Sequence, residues 1–322
     1  MAAFIGGLIG LVLLVGIVLH ADLGGMWRIM ALAGGNLLWL APYRLLFFLL
    51  YALGWAELLR PYDPQRRVGL AFTFWVTTVR EAIDRLLPVA SVGGAVVGAR
   101  LIHLRGLPIA AAGATIIVEI LLTLVAVYLF TVIGLLLLVQ MHPAGAGVRY
   151  MIPALLLSFP IPVLTAVLLR YGSVFARLER ILSGIAGINI LGESAVAFDH
   201  EIRSCLARKP AVLYAGVLEL AALLSGSLEI WFVLRVVGHP IDIGSAVIME
   251  GLMQALRHLA FVVPAGIGVQ EAALVVFGHT LGVGSDLALT VSLAKRVREL
   301  VCGAPSLISW WLFEGRRQGS RT

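Results

Sequence analysis

The feature that most constrains this chain is a set of apolar runs too long for a soluble core, two of them broken midway by Pro and Gly. Runs beyond about 18 residues meet the length a helix needs to cross the hydrocarbon of a bilayer. The 322 residues are 60% hydrophobic and 13% charged, with mean hydropathy +1.00. A soluble domain needs a more polar surface than that. The fold class expected is therefore an all-α integral membrane protein.

Charge and cysteine exclude other classes. The formal charge is +6 and the pI is 9.7, but in so apolar a chain the cations sort by membrane topology before they argue for nucleic acid. Cys205 and Cys302 stand alone and far apart, which excludes a disulfide framework or a CxxC site. The opening "MAAFIGGLIGLVLLVGIVLH" lacks a cationic n-region and a small-x-small cleavage site. It reads as a retained first helix over 3–20.

Further spans are expected over 36–59, 108–139, 149–170, 210–236 and 286–314, the last with a break at Gly303-Ala304-Pro305. Segments 68–105 and 245–284 are apolar but interrupted, at Pro88 with Gly93 and Gly94, and at Pro264 with Gly266 and Gly268. Read as re-entrant hairpins, they leave six full spans; if they cross, the count reaches eight or more. Loop 60–67, region 171–209 and the C-terminus carry most of the surface arginines. The positive-inside rule then puts both termini in the cytoplasm. Within 171–209, Val174, Leu178, Ile181 and Leu182 share a helical face, edged by Arg177 and Arg180. That pattern fits either a helix lying in the interface or a linker covering the bundle.

A shift of 176 residues superimposes the two interrupted regions. Pro88 falls on Pro264, "LPVASVGG" on "VPAGIGVQ", and Glu119 on Lys295. The predicted organisation is a single membrane domain, 1–322, with pseudo-repeats over 36–139 and 210–314. These are joined by the span 149–170 and the amphipathic connection 171–209. Inverted repeats with matching broken segments point to a transport site near the bilayer midplane. Broken backbone is tolerated there only where protein or a wet cavity receives it.

Charges at membrane depth are costly and default to functional candidates. Thr73, Thr77, Arg80 and Asp84 share a helical face, with Glu81 and Arg85 spaced i,i+4 beside it. Thr115, Glu119 and Thr123 form a stripe. Glu250, Gln254, Arg257 and His258 precede the second break, and Glu271 follows it. Lys295, Arg296, Arg298 and Glu299 cluster in the last helix. The residues expected to contact substrate are Arg80, Glu81, Arg257, Glu271, Lys295 and Arg298, with excess cations receiving an anionic headgroup. Glu119, Glu250 and Glu271 are candidates for a coupling proton. No phosphate loop, zinc motif or nucleophile elbow is present. No catalytic residue, metal or cofactor is expected, and the chain is not expected to be an enzyme.

The segments "LLPVASVGGAVVGARLI" and "VPAGIGVQEAALVVFGHTLGVGSDLALTVSLAKRVRELVCGAPSLISWW" resemble the membrane-domain family of lysylphosphatidylglycerol synthases and flippases. They are most similar to its free-standing, hopanoid-biosynthesis-associated HpnL-like branch. The likeness runs from about residue 36 to 314 and is most specific at GVQE, 268–271, and KRVRE, 295–299. One departure is Ala95, where the family implies an acidic residue after the paired glycines. The resemblance implies movement of a lipid, such as a hopanoid, across the bacterial inner membrane, alongside other hopanoid-pathway membrane proteins. An anionic phospholipid or polyprenyl phosphate, and a scaffold role without transport, stay open.

Overall fold

The computed structural model describes residues 34–87, 93–141, 160–186, 194–260, 263 and 268–319. The expected first helix 3–20 and the break residues Pro88, Pro264 and Gly266 lie outside the described residues. Every regular element among those described is helical. A 3₁₀ turn, Gly34–Trp39, leads into α1, Leu40–Leu59. Then follow α2, Leu70–Leu86; α3, Gly93–His103; and α4, Ile109–Met141. The middle of the chain forms α5, Pro160–Tyr171; α6, Val174–Ala186; and α7, Ser194–Ala207. It ends with α8, Lys209–Val236; α9, Ile243–Leu259; α10, Val269–Thr280; and α11, Ser285–Gly319.

Length and composition mark the helical stretches Gly34–Tyr62, Ile109–Met141 and Lys209–Val236 as able to cross a membrane. The segments Pro160–Tyr171 and Val174–Arg180 qualify only as a pair, bent by 82°. The 35-residue α11 is long enough, but the charges at 295–299 interrupt its apolar run. This is a membrane protein, with three or four such candidate spans among the described residues.

One expected break is corrected. The last helix runs straight through Gly303 and Pro305. Proline removes one backbone donor and strains a turn, but one turn of so long a helix absorbs the loss. Gly93 and Gly94 follow the end of α2 at Leu86 and form the first turn of α3. A Cβ on Gly94 would stand 2.5 Å from the Arg80 carbonyl oxygen, and one on Gly98 2.5 Å from the Arg80 side chain. Glycine is therefore required here by the close approach of α3 to α2. At the second break Gly268 takes φ +79°, a conformation costly for any residue with a Cβ. Its N–H donates to the Glu271 carboxylate at 2.8 Å, which starts α10.

Element boundaries recur at the 176-residue spacing. Helices α3 and α4 begin at Gly93 and Ile109, and α10 and α11 begin at Val269 and Ser285. Packing is reciprocal as well. Helix α2 lies along α11 and α9 along α4, while α1 and α8 pack against each other. Unit one, α1–α4, and unit two, α8–α11, are thus interlocked. One apolar core centres on Trp55, Val76, Leu101 and Ile116. A second centres on Leu135, Ile230, Met249 and Phe277, and smaller ones centre on Val118 and Ile202 and on Phe130 and Leu223. Along α4, Glu119 falls between the first two cores.

The connection is folded onto the bundle. Helix α7 packs on α4, and α6 packs on α7. Phe175 and Phe198 meet edge-to-face at 4.7 Å, and the Asp199 carboxylate accepts the Phe175 and Ala176 N–H groups. Several basic segments gather at one end. Tyr62 reaches the Glu201 carbonyl, Arg208 reaches that of Leu58, and Arg100 pairs with Glu314 at 3.0 Å. Arg105 lies over the Phe72 ring at 4.2 Å, and Trp75 bonds Ser309.

Candidate functional site

A cavity of about 170 Å³ is walled by α1, α2, α4, α8 and α9. Its polar wall comes from Arg44 and Tyr51 on α1; Thr77, Arg80, Glu81, Asp84 and Arg85 on α2; and Glu119 and Thr123 on α4. Glu219 on α8 and Glu250, Gln254 and His258 on α9 complete it. Helical spacing explains the grouping on α2. Residues 77, 80, 81 and 84 recur every three or four positions, so one face points inward while Val76, Val79 and Ile83 fill the apolar core.

Arg80 donates to Glu119 at 2.6 Å and lies over the Trp55 ring at 4.6 Å. Glu81 accepts from Arg44 at 2.9 Å and from Arg85 at 2.8 Å. Asp84 accepts the Gly94 N–H at 2.9 Å, placing a carboxylate at the N-terminus of α3. The acid missing at Ala95 is thus supplied from the preceding helix, and a carboxylate there suits the positive end of the helix dipole.

A second polar group sits beside the cavity. Lys295 pairs with Glu250 at 2.5 Å and lies 3.8 Å from Glu229. Arg298 holds both Glu229 oxygens, at 2.6 and 2.7 Å. Glu299 links α11 to α2 through Arg85 at 3.5 Å and lies 3.9 Å from Arg257. Glu271 accepts from Ser292 at 3.0 Å and Arg296 at 3.3 Å.

Of the six residues expected to contact substrate, Arg80 and Glu81 line the cavity. Arg257, Glu271, Lys295 and Arg298 do not; they belong to the adjoining network. The expected excess of cations is not found. Arg44, Arg80, Arg85, Arg257, Lys295, Arg296 and Arg298 each have a carboxylate within 4 Å. Repayment of desolvation requires such pairing. Glu219 and Glu229 were overlooked in the sequence. Both sit inside an apolar helix, and that rarity was the available signal. Among the described residues no cluster of three metal-ligating side chains occurs.

Three buried polar atoms on cavity-lining residues have no hydrogen-bond partner: Thr77 Oγ1, Arg80 Nε and Gln254 Oε1. Each such group costs on the order of 1–3 kcal/mol when left unsatisfied.

A helical membrane protein with a polar chamber inside an apolar bundle is the class that fold and site define. The chain belongs to the family described as the lysylphosphatidylglycerol synthase TM region, whose pattern matches residues 4–305. No curated protein and no solved structure matches it. Membership supports a membrane role connected with lipid.

Proposed function

We propose that the chain is a lipid translocator of the bacterial inner membrane, linked to hopanoid biosynthesis or transport and built as an inverted repeat. The observation that carries this reading is the cavity walled by Arg80, Glu81, Glu119 and Glu219 inside a lipid-associated membrane fold. A polar headgroup would enter it while its apolar body stays in lipid. The recurrence of helix starts at 176 residues and the reciprocal packing of the units support alternating exposure of the cavity by rocking of one unit against the other. The basic end of the bundle fits a cytoplasmic face holding both termini. Translocation needs no covalent step, so none is assigned.

Because each buried cation is already paired, the wall favours a neutral or amine-bearing headgroup over a bare phosphate. An anionic phospholipid or polyprenyl phosphate is therefore the weaker candidate. The closed network around Lys295 and Arg298 favours a second reading, a scaffold for hopanoid enzymes in which these charges only hold helices together. Mass spectrometry of lipids co-purified in mild detergent separates the two. Under the translocator reading, one lipid is enriched with the wild type and lost with Arg80→Ala and Glu81→Ala. A lipid profile that mirrors the bulk membrane in all three would overturn it and favour the scaffold.

A further inference from the structure

Glu219 differs from the other buried carboxylates among the described residues. Glu119, Glu229, Glu250, Glu271 and Glu299 each have an arginine or lysine within 4 Å. Asp63 and Asp199 each take two backbone N–H groups. Glu219 is 4% exposed, and its recorded partner is the Thr123 hydroxyl, at 3.1 Å. A carboxylate taken out of water without a counter-charge becomes neutral by keeping its proton.

The geometry around Thr123 gives an independent argument. Its Oγ1 lies 3.1 Å from the Glu119 carbonyl oxygen and 3.1 Å from Glu219 Oε2. A threonine hydroxyl has one proton and two lone pairs. A threonine inside a helix commonly gives that proton to the carbonyl four residues back. The remaining contact is then satisfied when the proton lies on Glu219, whose O–H donates to Thr123. If Glu219 were ionised, Thr123 would have to turn its hydroxyl away from the helix carbonyl.

We propose that Glu219 is a proton-binding site on the cavity wall, protonated in this arrangement and releasing its proton to water when the cavity opens. Its coupling role rests on the translocator reading: a cavity that closes only over neutral Glu219 moves one proton with each lipid, drawing on the proton gradient. The surroundings suit the task. From α4, Glu119 shares Thr123 with it and is already bound to Arg80 of α2. Also from α2, Glu81 is occupied by Arg44 of α1 and by Arg85, and α1 adds the Tyr51 hydroxyl. From α9, Glu250 is held by Lys295 of α11, and His258 Nδ1 lies 2.8 Å from the Gln254 carbonyl oxygen. On α8 itself, Glu229 is taken by Arg298. The cations near Glu219 are thus bound to other acids. Glu119, Glu250 and Glu271, the sequence candidates for a coupling proton, each hold an ion pair instead.

The first test is infrared difference spectroscopy of the full chain in lipid nanodiscs, titrated through neutral pH. A protonated-carboxyl band is expected in the wild type, absent in Glu219→Gln and retained in Glu119→Gln. Gln keeps the shape and the contact to Thr123, so an unchanged gel-filtration profile is expected. Thr123→Val should shift the titration midpoint without removing the band. A missing wild-type band, or one that survives Glu219→Gln, overturns the proposal. The second test uses liposomes carrying acyl-NBD phosphatidylethanolamine as probe. A gradient of one pH unit, which is a tenfold difference in proton activity, should speed probe movement by the wild type and leave Glu219→Gln unaffected. Gradient-independent movement by the wild type, or movement that follows sodium instead, overturns the coupling. If no variant moves the probe, the translocator reading and the coupling fall together, while the band decides the proton site by itself.

Discussion

Unit one and unit two share an order of helices and differ in what they do with charge. In unit one the polar side chains of α2 and α4 face a cavity, and buried polar atoms without a hydrogen-bond partner occur in both units, at Thr77 and Arg80 in the first and at Ser227, Gln254, Arg298 and Glu299 in the second. In unit two, α9 and α11 close on each other through Lys295, Glu250 and, from α8, Glu229. The pair linking α2 to α4 has arginine on the shorter helix, whereas the pair linking α9 to α11 has lysine on the longer. The first turns of α3 and α10 differ likewise. Unit one brings α3 against α2 through Gly94 and Gly98, where unit two carries Gln270 and Leu274. One topology can thus place its charges around a chamber or in ion pairs between helices beside it.

The largest expected effect tests the ion pairs of unit two. Glu229→Leu strips Arg298 of both its hydrogen bonds and leaves the buried cation only Glu299, at 3.7 Å, so thermal unfolding in detergent should show a loss of about 3–5 kcal/mol. Glu119→Leu should cost less, because Arg80 still faces a polar cavity and the Trp55 ring. Equal losses would break the contrast between the units. Next comes Gly94→Ala, where the new methyl meets the Arg80 carbonyl; a penalty of about 1–3 kcal/mol is expected. Its positional counterpart Gln270→Ala should cost about 1 kcal/mol, from the hydrogen bond to Ser292 at 3.0 Å.

Helix starts sharpen the comparison at lower amplitude. Asp242 caps α9 by accepting the Ser245 N–H at 2.9 Å, whereas Gly69 begins α2 with no side-chain cap. Asp242→Ala should lose about 1 kcal/mol. Hydrogen bonds from Ser245 hold the Asp242 carboxyl below its usual value. That contribution is present above the unfolded value of about 3.9 and fades as pH falls through the lowered folded value. The gap between wild type and Asp242→Ala should therefore narrow below about pH 4; a gap independent of pH would remove the cap from the account. Smallest is Gly69→Ser, expected to gain a few tenths of a kcal/mol, since nothing lies within 4 Å of the added Cβ.

Much of the architecture was legible because membrane helices write their length and apolarity into sequence. The spans expected at 36–59, 108–139 and 210–236 match α1, α4 and α8 closely. The cavity was half legible. Arg80 and Glu81 stood out as charges on a helical face, but Glu219 and Glu229 passed unremarked within an apolar helix. The break expected at Pro305 misled because proline reports a local cost, and a long helix can bear it.

The sequence by itself determined that this chain lives in a membrane and that it is helical. Apolar length and periodicity are properties of single segments, so they need no partner to be read. Which charges meet was decided only by the tertiary structure. Lys295, Glu229 and Glu250 come from three helices, and an ion pair depends on a distance that no spacing along the chain encodes. For the same reason the isolation of Glu219 could not be foreseen: an unpaired charge becomes visible only after every neighbouring cation has found another partner.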